Sequence, residues 1–104
     1  MSPDALELGR VVLSRAGRDK GRYFVVIARI DEQHVALCDG ETHKAEDPKK
    51  KKEKHVTPRP ETVGTLAAKT AQGVRVENHE VRAALDALGY SRSKRRERGK
   101  GMRP

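Results

Sequence analysis

The sequence is poor in cysteine, in aromatic residues and in long hydrophobic runs. Of its 104 residues, one is cysteine, three are Phe or Tyr and none is Trp. The lone cysteine, Cys38, cannot form an internal disulfide, which suits a reducing compartment. No stretch approaches the roughly 20 apolar residues of a membrane-spanning helix, and the N-terminus lacks the basic start and apolar run of a signal peptide. We therefore expect a cytoplasmic protein with no membrane partner.

Positive charge, in contrast, is abundant. The chain has 23 Lys and Arg residues against 15 Asp and Glu residues, a formal net charge of +8. This balance favours polyanionic partners such as RNA or DNA. Hydrophobic residues make up 35% of the chain and charged residues 37%. We therefore expect one compact domain with additional solvated, charged segments.

The first third of the chain has the pattern of β-strands. Apolar and polar residues alternate after Leu8, and a second run of β-branched and aromatic residues is apolar on both faces as far as Ile27. Such a run predicts a central strand covered on two sides. Asp39-Gly40 predicts a tight turn. The predicted strands are Arg10–Ser14, Arg22–Ile30, His34–Cys38 and, more weakly, Glu41–Asp47.

The middle of the chain is dominated by lysine and proline. The run from Pro48 to Lys54 has no apolar face and its adjacent lysines repel one another, which predicts an exposed loop. A short last strand is expected over Lys54–Thr57. Pro58 and Pro60 are then expected to end the sheet, because proline has no N–H to donate.

Two helices are predicted after the sheet. The first covers Glu61–Gln72 and is capped by Gly73. The second covers Asn78–Leu88, with Asn78 as the N-cap and an apolar stripe of Val81, Ala84, Leu85 and Leu88. Both are expected to pack against the strands. The remaining segment, 91–104, has seven basic residues and one acidic residue without periodicity, which predicts a disordered tail.

The loop between the first two strands concentrates basic residues in a turn. If Arg10–Ser14 pairs with the following strand, Arg15, Arg18 and Lys20 project from one edge of the sheet. Gly17 and Gly21 permit a positive φ and a close approach of the backbone to a ligand. Basic side chains and exposed backbone N–H groups suit phosphate oxygens, although a solvated hairpin with ordinary surface charge has the same composition.

The stretch LGRVVLSRAGRDKGRYFVV, from Leu8 to Val26, resembles the KOW motif of ribosomal and transcription proteins. The order of later features is similar to that of bacterial KOW-domain RNA-binding proteins and of the L-fourteen-e type large-subunit ribosomal proteins. These features are the Asp39-Gly40 turn, the run Pro48–Lys52, Lys54-His55 and the helix at 78–88. The resemblance covers about Leu8 to Leu88, and the tail after Tyr90 has no counterpart in the family core.

The resemblance implies a small SH3-like β-barrel, and the residue patterns add two short helices and a basic disordered tail, so we expect a mostly β fold with C-terminal α. The expected divisions are a flexible segment at 1–7, the barrel at 8–58, a helical segment at 59–90 and the tail at 91–104. It also implies RNA binding by the loop edge of the barrel. The residues carried over by position are Ser14, Arg15, Gly17, Arg18, Lys20, Gly21 and Arg22.

Two further basic clusters extend the expected RNA-binding surface. Lys49, Lys50, Lys51, Lys52 and Lys54 form the first, and Arg92, Lys94, Arg95 and Arg96 belong to the second. Lysines act as mobile point charges that suit phosphate, and a basic tail can order along RNA. The alternatives are a solvated loop that protects a sheet edge from pairing and a tail that serves solubility.

The sequence offers little for catalysis or metal binding. His34 and Cys38 share a strand face but lie roughly 13 Å apart by strand rise, too far for one zinc ion, and no CxxC or HxxxH motif includes His43. Surface histidines and a half-buried cysteine are therefore expected. A nucleophile formed by Cys38 and His55 has little pocket volume available in so small a domain. We expect no enzyme, no cofactor and no small-molecule substrate.

The leading hypothesis is a non-catalytic KOW-type protein that binds ribosomal RNA or associates with the ribosome, with ribosomal proteins as further partners. The scarcity of aromatic residues favours recognition of structured RNA by shape and phosphate over base reading of single strands. The alternative is a KOW-type protein-interaction module of the transcription or translation machinery, which would expose apolar residues in place of three basic clusters. A weaker alternative is a regulatory or enzymatic domain that uses Cys38.

Overall fold

The structure, a computed structural model, describes residues 6–90 as one antiparallel sheet followed by two helices. The strands are β1 (Arg10–Ser14), β2 (Tyr23–Arg29), β3 (His34–Cys38), β4 (Lys49–Lys52) and β5 (Val56–Thr62), and the helices are α1 (Gly64–Ala71) and α2 (Asn78–Ala87). A 3-10 turn, Glu53–His55, joins β4 to β5. The strand order is β4-β3-β2-β1-β5, and β4 and β5 form the two edges. The predicted N-terminal segment lies largely, and the tail wholly, outside the described residues.

The first three strands confirm the sequence prediction, and β2 is covered on both faces. Phe24 and Val26 point into one cluster of buried residues, which we call the first core, and Val25 points into a second core on the other face. The first core contains Leu6, Val12, Phe24, Val26, Val35, Leu37 and Val56. The second contains Val11, Val25, Cys38, Leu66, Val76, Val81 and Leu85. Strand residues alternate between faces, so one sheet separates both cores.

The two helices cover only the second core. α1 contributes Leu66, and α2 contributes Val81 and Leu85, which are all at most 4% exposed. Leu88 was expected to extend this apolar stripe, but it follows the end of α2 and is 39% exposed. The described residues therefore form a mostly β body with C-terminal helices packed on one face. The sheet is open between its edge strands, so a closed barrel is not shown.

The first helix begins later than expected, whereas the second begins at Asn78 as predicted but has a different N-cap residue. Thr62 pairs with Arg10 in β1, and the Val63 N–H donates to the Gly9 carbonyl, so α1 starts only at Gly64. In α2, Glu77 occupies the N-cap position and its N–H donates to Glu80 Oε1 at 3.1 Å. The predicted N-cap, Asn78, is instead the first helical residue.

The side chain of Asn78 fixes α2 to the segment that was a weak strand candidate. Asn78 Oδ1 accepts the Ala45 N–H at 2.7 Å, and its Nδ2 donates to Glu46 Oε1 at 2.9 Å. The strand expected over 41–47 is absent from this segment of the described chain. Asp39 accounts for this difference, because its carboxylate accepts the N–H groups of Glu41 and His43 and so favours a local turn over a ladder.

The lysine run is a strand and not the predicted loop. Lys49 and Lys51 pair with Leu37 and Val35 at the free edge of β3. Successive side chains of a strand point to opposite faces, so the charges of neighbouring lysines are separated across the sheet edge. Backbone pairing with β3 therefore overrides the charge repulsion that indicated a loop.

The last strand extends through both prolines, contrary to the expected end at Pro58. Pro58 lies opposite Val12, and β5 continues to Thr62. β5 is an edge strand of the described sheet, and an edge strand tolerates proline because a backbone nitrogen on its open side has no ladder hydrogen bond to donate. The register shifts between Arg10 and Val12, and Arg10 Nη1 donates to the carbonyl oxygen of Arg59 at 2.9 Å within this irregular stretch.

Candidate nucleic-acid interface

Residues 15–22, which we call the basic loop, join β1 to β2 in a closed turn. At its base the Ser14 N–H donates to the Arg22 carbonyl, and the Gly21 N–H donates to the Ser14 carbonyl, each at 2.9 Å. Gly17 and Gly21 have φ values of 79° and 88°. Only glycine adopts this left-handed region without strain, so the expectation of positive φ at both positions is confirmed.

The basic loop presents three of its four cationic side chains to solvent. Arg15, Arg18 and Lys20 are exposed, as the strand pairing predicted, and Arg22 is half-buried. Ser14 is 1% exposed, and its hydroxyl donates to the Ala16 carbonyl at 3.3 Å. Ser14 therefore shapes the start of the loop from within the protein.

The lysine strand divides into exposed and internal side chains. Lys50 and Lys52 are exposed, as is Lys54 in the 3-10 turn, and Lys49 is half-buried. Lys51 is 8% exposed, and its ammonium donates to the carbonyl oxygen of Ala16 at 2.8 Å. This bond ties the lysine strand to the basic loop, a contact that no local sequence pattern indicated.

Two basic segments that are distant in sequence converge around His55. The Arg15 N–H donates to the His55 carbonyl at 2.8 Å, which places the start of the basic loop against the 3-10 turn. Partial desolvation lowers the pKa of His55, and repulsion by Lys54, Lys51, Lys52 and Arg15 lowers it further. We call the surface formed by Arg15, Lys51, Lys52, Lys54 and His55 the cationic surface.

The basic loop also contains a buried acidic residue that the sequence reasoning did not single out. Asp19 is 7% exposed and lies 3.2 Å from His43 Nε2 and 3.9 Å from Arg22 Nη1. The sequence signal that could have identified Asp19 is its position as the single acidic residue among the four basic residues of the loop. Within residues 6–90, Arg22 is the predicted loop base whose side chain has a described acidic neighbour.

The predicted binding residues divide into a described group and a group in the tail. Arg92, Lys94, Arg95 and Arg96 lie outside the described residues. Among the predicted residues that the structure describes, Arg15, Lys51, Lys52 and Lys54 come together, whereas Lys49 and Lys50 belong to the same strand without a described contact to the basic loop.

The residues considered for metal or thiol chemistry occupy separate environments. His34 Nδ1 contacts Asp31 Oδ1 at 2.9 Å in the β2–β3 turn, whereas His43 contacts Asp19. Cys38 is fully buried in the second core. Burial raises the pKa of the Cys38 thiol to about 12, with smaller contributions from Asp39 and Glu46, so the thiol stays protonated.

No family model matches the chain. Within residues 6–90, no group of three or more His, Cys, Asp or Glu side chains is arranged to hold a metal ion. Over the same residues, no helix has both the length and the apolar character needed to cross a membrane.

Proposed function

We propose that the chain is a non-catalytic RNA-binding protein that contacts ribosomal RNA, or RNA on the ribosome, through the cationic surface and the basic loop. The observation that supports this proposal is the convergence of Arg15 with Lys51, Lys52 and Lys54 around one histidine. These neighbouring positive charges repel one another, and a bound polyanion relieves the repulsion. Binding is also favoured because the polyanion releases its condensed counterions.

The proposed contact is made with phosphate groups. Lys52 and Lys54 are exposed ammonium groups that act as point charges, and Arg15 and Arg18 offer planar guanidinium groups that can hold two phosphate oxygens at once. Lys51 has a different role, because its ammonium is already bound to Ala16. Its side chain holds the basic loop against β4, and its charge contributes to the cationic surface although the side chain is buried.

The aromatic residues support structured RNA as the ligand. Phe24 is buried, and Tyr23 stacks on Tyr90 with ring centroids 4.2 Å apart. The Tyr90 hydroxyl donates to Glu61 Oε1 at 2.8 Å. Within residues 6–90 the aromatic rings therefore serve packing, and base stacking of a single strand has no platform there.

The KOW-type fold belongs to the same proposal. The two edge strands, β4 and β5, are consecutive in the chain, and only the 3-10 turn Glu53–His55 separates them. This short connection suits an SH3-like barrel in which the gap between the two edges is narrowest at the turn. The first core fills the face that such a barrel encloses. The protonated, buried thiol of Cys38 supports a structural role for that residue and a non-catalytic protein.

Sedimentation of a cell lysate through sucrose gradients tests the proposal. Comigration with the large ribosomal subunit that survives a high-salt wash supports an integral ribosomal protein. Comigration that disappears in high salt supports a peripheral factor held by phosphate contacts. If the protein stays at the top of the gradient at low salt, and purified ribosomal RNA does not bind it, the proposed function is wrong.

A protein-interaction module is the second candidate, and one surface favours it. An open groove is lined by Leu6 and Leu8 and by the ion pair of Arg29 with Glu53. Ile30 is 44% exposed in the adjacent β2–β3 turn. The remaining acidic side chains of the groove are Glu7, Asp31 and Glu32. An apolar groove with this acidic rim suits a cationic segment of a protein from the transcription or translation machinery.

A pair of substitutions distinguishes the two candidates. Ile30→Lys alters the groove region, and Val74→Lys makes the same change at a site of similar exposure, 48%, away from it. If ribosome comigration falls only in Ile30→Lys while the affinity for purified RNA is unchanged, protein docking carries the association. Equal behaviour of both variants favours RNA binding.

A further inference from the structure

Asp19 is the only acidic residue of the basic loop, and its burial requires an explanation. An ionised carboxylate is costly to bury unless it is paired and hydrogen-bonded. The Asp19 side chain is 10% exposed and lies 3.2 Å from His43 Nε2. Because a carboxylate only accepts hydrogen bonds, Nε2 carries the hydrogen of this contact. Arg22 approaches the same carboxylate more distantly, at 3.9 Å.

His43 is itself held in place by the turn after β3. Its N–H donates to Asp39 Oδ1, and its carbonyl accepts the Asp39 N–H, both at 3.0 Å. Its ring lies 5.7 Å, centroid to centroid, from the ring of Phe24, which is fully buried in β2. The contact between His43 and Asp19 therefore connects the basic loop to a fixed point of the sheet.

The basic loop is thus fixed to the body on both sides of its exposed tip. Before the tip, the Ala16 carbonyl accepts the ammonium of Lys51. After the tip, Asp19 accepts the bond from His43 and its carbonyl accepts the Arg22 N–H at 3.0 Å. Arg18 lies between these two attachments. In the unbound protein these bonds therefore hold the loop backbone that carries Arg18.

We infer that Asp19 and His43 are positioning residues of the RNA interface, whose contact holds the basic loop in the conformation that presents Arg18 and Lys20 to phosphate. The inference rests on the proposed function and gives an acidic side chain a favourable role in binding a polyanion. Net charge alone predicts the opposite change in RNA affinity. Removal of an acidic charge makes the surface more positive, which should raise the affinity. The two explanations are therefore separated by the direction of one effect.

The first experiment compares Asp19→Asn with Asp86→Asn for binding to purified large-subunit ribosomal RNA. Both changes raise the net charge by one, but Asp86 is exposed in α2, and no described contact joins its carboxylate to the basic loop. If the loop of Asp19→Asn is correctly positioned about a fifth of the time, its apparent Kd rises about five-fold. Asp86→Asn should bind as tightly as the wild type or slightly more tightly.

Two substitutions of His43 test the partner of the contact. His43→Gln keeps an N–H donor at a similar reach, whereas His43→Leu removes it. We expect His43→Leu to weaken RNA binding as Asp19→Asn does, and His43→Gln to retain most of the affinity. Equal losses in both variants would show that the ring packing against Phe24 matters and the bond to Asp19 does not.

Amide hydrogen exchange provides a readout that needs no RNA. The N–H groups of Lys20 and Arg22 donate within the loop, and that of Gly21 donates to the Ser14 carbonyl at its base. They should exchange faster in Asp19→Asn than in Asp86→Asn, while the amides of β2 stay equally protected. If wild-type protein fails to bind ribosomal RNA, the proposed function is wrong, and exchange still decides whether Asp19 braces the loop. Equal exchange, or equal affinity of the two variants for RNA, overturns the inference.

Discussion

The ammonium group of Lys51 donates a hydrogen bond of 2.8 Å to the carbonyl oxygen of Ala16, which lies 35 residues earlier in the chain. This contact joins β4, an edge strand of four lysines, to a loop that contains three arginines and one lysine. Two segments of like charge repel each other, but the hydrogen bond from Lys51 holds these two together. Lys51 is therefore a structural residue within the cationic surface.

Lys51→Met should destabilise the protein by about 1–3 kcal/mol, because the Ala16 carbonyl loses its charged donor while the aliphatic bulk of the side chain is retained. Lys50→Met removes the same charge from an exposed neighbour in β4 and should change the free energy of unfolding by less than about 0.5 kcal/mol. Chemical denaturation of both variants measures the difference. Equal stabilities would mean that the bond from Lys51 to Ala16 contributes nothing to folding.

The double substitution Arg18→Glu with Lys20→Glu should weaken RNA binding about tenfold or more and leave the fold intact. Both side chains are exposed at the tip of the basic loop, where substitutions cost little stability. The matched control reverses Lys44 and Arg75, two exposed bases outside the basic loop and the lysine strand. Fluorescence anisotropy with a labelled ribosomal RNA fragment gives the affinities. If both doubles lose affinity equally, only net charge matters.

Deletion of Ser91–Pro104 should flatten the salt dependence of RNA binding. The segment contains seven of the 23 basic residues, and each phosphate that they neutralise releases counterions. The slope of log Kd against log salt concentration should fall by roughly 0.7–0.9 for each phosphate that the shortened chain no longer neutralises. A chain of full length with those seven residues changed to Gln serves as the control for length. An unaltered slope would make the tail a solubilising end.

The titration of His55 should report occupancy of the cationic surface. In the free protein its pKa lies below the ordinary histidine value, first through desolvation and then through repulsion by the cations around it. Added salt screens that repulsion and should raise the pKa, and bound phosphates should raise it further by stabilising the imidazolium. NMR titration of the ring proton, with His79 in α2 as an internal reference, measures both shifts. A pKa that does not respond to RNA places the RNA elsewhere.

Substitutions of Gly40 and Gly73 distinguish the cost of backbone strain from the cost of a steric clash. Their φ values are 79° and 77°, but a Cβ at Gly40 would meet the Asn78 carbonyl oxygen at 2.5 Å, whereas one at Gly73 would meet nothing within 4 Å. Gly73→Ala should therefore cost about 1–2 kcal/mol from the left-handed backbone alone. Gly40→Ala should cost about 1–3 kcal/mol more, because α2 must move away from the turn. Thermal unfolding of the two variants tests the order, and equal losses would contradict the clash.

The sequence by itself determined the elements whose signals are local. The apolar run from Tyr23 to Ile27 indicated a strand buried on both faces, and the glycines of the basic loop indicated its positive φ angles. The pattern around Val81 and Leu85 indicated a helix with one buried face. In each case the residues that carry the signal also make the structure, because the period of a strand or helix is a property of the adjacent backbone.

Tertiary structure alone decided the edges of the sheet and the assembly of the candidate site. Lys49–Lys52 form a strand because β3 offers a row of hydrogen-bonding groups, and Pro58 is tolerated because β5 is an edge strand of the sheet that the structure describes. Lys51 meets Ala16, and His43 meets Asp19, across 35 and 24 residues. Such contacts depend on where the whole sheet places each segment, so no window of sequence contains the information that fixes them.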